Sequence, residues 1–185
     1  MKNILIINRK GGVGKTLVAD ELAFALDAKN VPYCFYDLDG QGGTLHEPVE
    51  MDDADISIID TPGSLQGEMG EWVKDADVVI IPMRPSVMDM PATKTTIDLV
   101  KRNAPDTPIV YVVNGTNRFK ATKEFMEFFK EEHEDEPIYC LPQSEAFVQS
   151  RLANQSVVAY NPRLPAALAT SVLTHGVWKI LKLKF

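Results

Sequence analysis

A segment near the start of the chain combines glycines with two lysines and a threonine in a pattern suited to binding phosphate. Its residues are Arg9, Lys10, Gly11, Gly12, Val13, Gly14, Lys15 and Thr16. Glycines let backbone N–H groups approach phosphate oxygens, and the N-terminus of a following helix adds a favourable dipole. Lys15 would contact the β- and γ-phosphates, and the Thr16 hydroxyl would coordinate Mg²⁺. The segment predicts a nucleoside triphosphate site with Mg²⁺, against the alternative of a glycine-rich turn that binds no ligand.

Three aspartates stand where apolar, strand-like runs end. Asp37 and Asp39 follow one such run, two residues apart, and Asp60 directly follows residues 56–59. Asp60 is placed to hold Mg²⁺, usually through a water molecule, because Mg²⁺ keeps part of its hydration shell. Asp37 and Asp39 could divide two further tasks beside the phosphates. The alternative for that pair is an Asp/Gly turn with solvated carboxylates.

Hydrophobic patterning places these motifs in an α/β fold. Short apolar runs predict strands at residues 4–7, 33–36, 56–59, 78–81 and 109–113. Helical spacing follows the phosphate-binding segment and recurs at residues 91–102 and 119–130. This alternation predicts βαβ units, and so a doubly wound, mostly parallel sheet with helices on both faces. In such sheets ligands bind at the carboxyl ends of the strands, where every motif above falls.

The sequence from Lys10 to Thr16 resembles the deviant Walker A box of the ParA/MinD family of P-loop ATPases. A strict P-loop would have glycine at residue 9, where this chain has Arg9. The resemblance implies that Lys10 is the family's signature lysine, which reaches across a dimer interface to phosphates held by the other subunit. It also implies an ATPase that uses ATP and Mg²⁺, in which Asp37 lies near the metal and Asp39 orients the attacking water.

Further segments extend the resemblance over almost the whole chain. Residues 37–42 resemble the family's D-x-D-P-Q-G segment, with Gly40 in place of the proline, which predicts a more mobile loop before nucleotide binds. Asn114 matches a strand-end asparagine that contacts adenine, and a turn-forming role is its alternative. The match to the family's tail motif adds Pro142 as a nucleotide contact. Leu17 belongs to the nucleotide-binding stretch but lacks the hydroxyl that is common there.

Charge is unevenly distributed along the chain. The net charge is −7, yet residues 138–185 hold five basic residues and one acidic residue, 5 − 1 = +4, which leaves −11 for residues 1–137. A basic end on an acidic body fits a conditional contact with a polyanion, and solvated lysines on a last helix are the alternative. Arg151 and Arg163 are the leading candidates for contact with duplex DNA. Gln143 replaces an arginine that the family's tail motif carries at this surface.

Length and composition set outer limits on the function. The 185 residues suffice for one well-filled core, so we predict a single domain over residues 1–185. No apolar run approaches the ~20 residues of a transmembrane helix, and the first residues lack a signal-peptide layout. Cys34 and Cys140 predict buried free thiols in a reducing cytoplasm. Because no DNA-reading domain precedes Met1, the chain is expected to be a short form of the family.

Three functions from different classes are compatible with these features. The favoured one is a ParA-type partition or cargo-positioning ATPase, cytoplasmic and nucleoid-associated, which dimerises with ATP, binds duplex DNA and responds to a ParB-like partner. The second is a MinD-like ATPase that holds membrane, for which the apolar and lysine-rich end at residues 177–185 is the argument. That end more readily forms a last helix docked on the sheet, so membrane binding is not expected. The third, a metabolic enzyme of the dethiobiotin-synthetase type, has no need of Lys10 in trans.

Overall fold

The computed structural model describes residues 1–39, 42–63 and 69–184. Its strands are β1 (Lys2–Ile6), β2 (Cys34–Asp37), β3 (Ile56–Asp60), β4 (Val78–Met83), β5 (Ile109–Thr116) and β6 (Ile138–Pro142). Its helices are α1 (Lys15–Asp27), α2 (Met69–Lys74), α3 (Met90–Asn103), α4 (Lys120–Glu132), α5 (Ala146–Leu152), α6 (Val157–Tyr160) and α7 (Pro165–Ile180). Gly40, whose predicted effect on loop mobility concerns the 37–42 segment, lies outside the described residues.

The six strands form one parallel sheet in the order β2-β3-β1-β4-β5-β6. Every strand pair is parallel, and the register places Ile6 of β1 beside Asp60 of β3 and Ile80 of β4. The chain therefore starts in the centre of the sheet and builds outward in both directions, which confirms the doubly wound α/β prediction. Because parallel strands end at the same edge, the motifs that follow β1, β2 and β3 are brought together.

Alternate side chains of the central strand enter two separate cores. Ile4 and Ile6 pack with apolar residues of α1, α5, α6 and α7 on one face of the sheet. Leu5 and Ile7 pack with those of α2, α3 and α4 on the other face. Burial on both faces explains why these runs are continuously apolar rather than alternating. Helices on both faces of the sheet are thus confirmed.

The five predicted strands and both numbered helical segments are present, each within a few residues of its expected bounds. The last helix is also confirmed: α7 buries Leu173, Val177 and Trp178 against the sheet side of the core. Three short helices, α2, α5 and α6, and the strand β6 were not predicted. They span only four to seven residues, too few for a helical or strand period to emerge from the sequence.

The prediction of two buried thiols is half wrong. Both cysteines are free, and Cys34 is buried in β2, but Cys140 is exposed. The reason is its place in β6, which is an edge strand with hydrogen-bonded neighbours on one side only. In the described part of the chain, no helix has both the length and the apolar character needed to cross a bilayer.

Candidate functional site

The predicted motifs meet in a cleft at the carboxyl ends of β1, β2 and β3. The cleft has a volume of about 560 Å³, within the range of ligand pockets in proteins. Its walls are the phosphate-binding segment together with Asp39 and Gly63. Residues from three separate strand ends therefore face one space, as the parallel topology requires.

The phosphate-binding segment has a backbone that only glycine adopts readily at two positions. Gly12 and Gly14 have φ values of 72° and 100°, in the left-handed region that disfavours side chains. A Cβ on Gly14 would also lie 2.3 Å from the side-chain nitrogen of Asn114. That Asn114 amide donates a hydrogen bond of 3.0 Å to the carbonyl oxygen of Val13. Asn114 thus fixes the loop just before α1 begins at Lys15, which directs the helix N-terminus at the cleft.

Lys15 is a buried cation, with a relative exposure of 6%. Burial lowers the pKa of its ammonium group, and the negative charges of Asp60 and Asp39 partly oppose that shift. An ammonium group deprived of water gains most from a strong anionic partner. Its position in the cleft is therefore suited to binding phosphate oxygens.

Asp60 is fully buried at the end of β3, and neither of its carboxylate oxygens has a hydrogen-bond partner among the described residues. Burial raises its pKa to about 6; the Thr16 hydroxyl and the Lys15 ammonium oppose this shift, and the charges of Asp37 and Asp39 add to it. Thr16 is thus close to the carboxylate, although it does not reach hydrogen-bonding geometry. A buried carboxylate without a partner is costly. A cation would supply that partner, so Asp60 and Thr16 fit the chemistry of an Mg²⁺ site.

Asp37 and Asp39 lie on the same side of the cleft. Asp37 is directly beside Asp60 in the β2–β3 register, and its Oδ1 accepts a hydrogen bond of 2.9 Å from the backbone nitrogen of Asp39. In the part of the chain that the structure describes, the carboxylates do not form a group that could hold a metal ion alone. An Mg²⁺ ion would therefore need nucleotide phosphates and water besides Thr16 and Asp60.

Lys10 lies at the rim of the cleft, and its ammonium group contacts a residue outside the cleft lining. Its ammonium forms an ion pair of 3.4 Å with Asp89, at the N-terminal end of α3, and its side chain is 45% exposed. Its backbone nitrogen donates to Oδ1 of Asn8 at 2.9 Å. Asn8 is fully buried and its amide donates in turn to the carbonyl of Pro82. The backbone under Lys10 is therefore fixed, while its half-exposed side chain is held by an ion pair to Asp89, whose own side chain is 12% exposed.

A family model for the CobQ/CobB/MinD/ParA nucleotide binding domain matches residues 4–157. The chain belongs to this family. The match covers the phosphate-binding segment and all three aspartates of the cleft, and it confirms the resemblance to ParA/MinD P-loop ATPases. Comparison with curated protein sequences gives no significant match.

Solved structures with the same fold include several members of the ParA/MinD group. The chain is similar to McdA from Cyanothece in an ATP complex (TM-score 0.81, 16% identity, 100% of this chain and 98% of the other). It is also similar to the septum site-determining protein MinD from Pyrococcus horikoshii with Mg-ADP (0.73, 19%, 100% and 99%). A third similar structure is a Borrelia burgdorferi protein bound to AMPPNP, whose name describes it as a plasmid partition protein (TM-score 0.68, 16% identity, 93% of this chain and 98% of the other). At sequence identities of 16–19%, these similarities show that the fold is shared.

The remaining predicted site residues lie on several different elements of the fold. Leu17 is half-buried in the first turn of α1, and Pro142 ends β6, beside Thr116 of β5. Asn114 uses one amide N–H on the loop, which leaves its second N–H and its oxygen for the predicted adenine contact. Adenine binding by Asn114 and Pro142 stays a prediction. Arg163 is exposed before α7.

A buried charge network centred on Asp20 is the main feature that the sequence did not reveal. Asp20, 1% exposed, accepts hydrogen bonds from the Thr44 hydroxyl (2.7 Å) and the Leu45 backbone (3.0 Å). It also contacts His46 and forms an ion pair of 2.5 Å with Arg151, which in addition bonds the carbonyl of Gly43. Burial alone would raise the pKa of Asp20, but the donated hydrogen bonds outweigh it and lower the pKa. The network ties the chain after the Asp37–Asp39 segment to α1 and α5.

This network predicts a structural role for Arg151. Arg151→Ala should lower the free energy of unfolding by about 3 kcal/mol, because it leaves the Asp20 carboxylate buried with one charge partner removed. Lys101→Ala is the matched control, since it breaks the exposed Lys101–Glu136 pair and should cost less than about 1 kcal/mol. Urea unfolding measures both values. Equal losses in the two variants would show that the Asp20–Arg151 pair contributes no more than a surface contact.

Proposed function

We propose that the protein is a ParA-type ATPase that dimerises on binding ATP and Mg²⁺ and hydrolyses the ATP. The observation that carries this proposal is a buried cation, Lys15, in the cleft, together with a buried carboxylate, Asp60, that has no hydrogen-bond partner among the described residues. A nucleotide with Mg²⁺ would satisfy both at once, because Lys15 would contact the phosphates and Asp60 would help to hold the metal. Neighbours solved with ATP, Mg-ADP and AMPPNP support the same ligands.

The residues of the cleft divide the chemistry of phosphoryl transfer. Backbone N–H groups of residues 11–16 and the Lys15 ammonium would hold the phosphates, and Thr16 and Asp60 would hold Mg²⁺, which would supply positive charge against the charge that develops on the phosphates. Asp39, at the cleft wall, orients the attacking water. Asp37 supports it by accepting the hydrogen bond from the Asp39 backbone. A water held in line by a carboxylate needs no covalent intermediate on the protein.

Lys10 is proposed to act on the nucleotide of a second subunit. Its ammonium reaches Asp89 rather than the chain's own cleft, and nearly half of its side chain is open to a partner. The ion pair with Asp89 is a single contact of 3.4 Å, which can be exchanged for charge-assisted hydrogen bonds to phosphate oxygens. A cation delivered in trans would stabilise the transferred charge, as an arginine finger does.

The polyanion that the dimer meets is proposed to be duplex DNA, bound without sequence preference. Arg151 is already paired with Asp20. The proposal therefore rests on the other four basic residues of positions 138–185, which are Arg163, Lys179, Lys182 and Lys184. Dimerisation doubles this charge and so makes a weak surface effective only with ATP. Partition of DNA or positioning of a cargo, with a ParB-like protein that stimulates hydrolysis and release, would follow. The plasmid partition name of one neighbour supports this choice.

DNA binding is tested by sedimentation with plasmid DNA in ADP or in ATP with Mg²⁺. We expect binding only with ATP, with log K falling by ~0.9 per phosphate neutralised as log salt rises. Arg163→Glu should weaken binding roughly tenfold for all sequences alike and leave dimerisation intact. Lys120→Glu, on the opposite face of the sheet, makes the same charge change at an exposed site and is the control.

Binding that ignores nucleotide or salt, or equal losses in the two variants, would contradict the DNA surface. Anionic liposomes in a parallel arm test the MinD-like alternative. Trp178 and Leu181 belong to the 177–185 segment on which the membrane alternative rests, but they are buried in the core and unavailable to a bilayer in this structure. ATP-dependent sedimentation with liposomes but not with DNA would therefore favour a membrane ATPase whose last residues detach from the core.

A further inference from the structure

A second cavity lies behind α1, away from the nucleotide cleft. It has a volume of about 380 Å³ and is enclosed by the second half of α1, by α6 and by the first half of α7. Apolar wall comes from Phe24, Ala25 and Val158. It shares no lining residue with the nucleotide cleft, so its ligand need not be a nucleotide.

Two buried polar side chains on the wall of this cavity lack hydrogen-bond partners among the described residues. They are Glu21, 4% exposed, through its Oε2, and Thr170, 1% exposed, through its hydroxyl. The other carboxylate oxygen of Glu21 accepts a hydrogen bond of 2.9 Å from the backbone nitrogen of Val157. An unsatisfied buried carboxyl oxygen and hydroxyl are unusual in proteins and each costs ~1–3 kcal/mol.

The remaining hydroxyls of the wall are already used within the protein. Ser171 donates to the carbonyl of Ala167, and Thr174 donates to that of Ser171. The Ser156 oxygen accepts from the backbone nitrogen of Ala159 at the start of α6. The polar groups without partners in the lining are therefore on Glu21 and Thr170: a carboxylate oxygen that can accept, and a hydroxyl that can donate or accept.

We propose that this cavity binds a small organic amine, with its ammonium group on Glu21 and Thr170 and its apolar body against Phe24 and Val158. An ammonium group offers several donors and a charge opposite to that of the carboxylate, which strengthens the hydrogen bond. The apolar wall gains from burial of the ligand's hydrocarbon part. Lys29 also lines the cavity but is exposed and engaged in an interaction of its own, so the amine site lies at the Glu21 end.

The protonation of Glu21 gives the site a pH dependence that a packing defect would lack. Burial raises the pKa of Glu21 to about 7; the Val157 N–H lowers it, the Asp20 charge raises it, and Arg151 and His46 lower it. The side chains that α6 and α7 contribute to the wall are uncharged. A charged amine binds the ionised carboxylate, so affinity should rise as pH rises through 7. From pH 6 to pH 8 the ionised fraction of such a group grows about tenfold.

Benzylamine is a suitable probe because it stays charged over this pH range and carries a compact apolar ring. We expect saturable binding by ligand-observed NMR on the full chain, about tenfold tighter at pH 8 than at pH 6. Benzyl alcohol, which lacks the charge, should bind more weakly and equally at both pH values. Glu21→Gln keeps the acceptor for Val157 N–H and the side-chain shape, and it should remove the pH dependence and weaken benzylamine binding at least tenfold at pH 8.

Two further variants separate this cavity from other sites. Ala25→Leu fills the cavity from α1 and should abolish benzylamine binding, whereas Lys15→Ala, in the nucleotide cleft, should leave it unchanged. Burial lowers the pKa of the nearby His46, but contacts with Asp20 and Asp27 outweigh this effect and raise it. The contribution of His46 is measured by the Glu21→Gln variant, which retains His46. Absence of saturable binding at either pH would overturn the proposal. So would equal affinity in the wild type and in the Glu21→Gln or Ala25→Leu variant.

Discussion

Lys15→Ala should abolish measurable binding of ATP and of ADP. Lys15 is a buried cation of the cleft, and among the described residues it is the lysine that lines this space, so the phosphates would lose its ammonium group. Loss of a charge-assisted contact of this kind is expected to weaken binding by at least ~100-fold. Titration calorimetry with Mg²⁺ and either nucleotide measures the effect.

A folding defect is excluded by thermal unfolding without nucleotide. Burial lowers the pKa of Lys15, which means that the free protein gains little from its charge. The unfolding temperature of Lys15→Ala should therefore stay close to that of the wild type. Lys10→Ala is the matched control, since it removes a neighbouring lysine whose ammonium contacts Asp89 instead of the cleft. Tight binding of ATP to Lys15→Ala would show that Lys15 is not a phosphate ligand, and an equal loss of ADP binding in Lys10→Ala would show that the effect is not specific to Lys15.

Asp39→Ala should bind ATP with Mg²⁺ and then fail to hydrolyse it. The phosphate cradle, Thr16 and Asp60 are untouched by this change, so affinity should stay within about threefold of the wild type. Turnover should fall by about 10²–10⁴-fold, the usual contribution of a positioned acid–base group. Phosphate release measured under saturating ATP gives the rate, and the bound nucleotide recovered after gel filtration shows whether ATP persists.

Asp98→Ala, on the exposed side of α3, controls for the loss of one negative charge. It should leave both affinity and turnover unchanged. Turnover within a few-fold of the wild type in Asp39→Ala would remove Asp39 from the mechanism and leave residues 37–39 as a turn. Loss of nucleotide binding in the same variant would instead assign Asp39 a role in holding the ligand.

The central part of the site could be predicted from the sequence because its signals are local. Glycines, Lys15 and Thr16 lie within one short segment, Asp37 and Asp60 are the last residues of their strands, and Asp39 lies two residues beyond β2. Continuous apolar runs indicated strands buried on both faces, and the parallel sheet then brought Asp37 beside Asp60. Local patterns and the right-handed βαβ rule are enough to specify this much of the fold.

The contacts that the sequence concealed join residues far apart in the chain. Asp20 and Arg151 are 131 positions apart in the sequence. Nothing in the sequence around either residue indicates that Arg151, a candidate DNA contact, forms an ion pair with a buried carboxylate. The exposure of Cys140 depends on β6 being the edge strand, which only the completed sheet decides. The same holds for Glu21, whose helical position looks like an ordinary surface glutamate until α6 and α7 close over it.

The ATP-dependent dimer is tested most directly by the mass of the protein in solution with ATP and Mg²⁺, measured by light scattering during gel filtration. Asp39→Ala, which should retain ATP, is expected to elute as a dimer with ATP and as a monomer with ADP. Adding Lys10→Ala to it should return the protein to the monomer while ATP remains bound. A mass that is the same with ATP and ADP, or a dimer that persists without Lys10, would contradict an ATP-bound dimer that depends on a lysine delivered in trans.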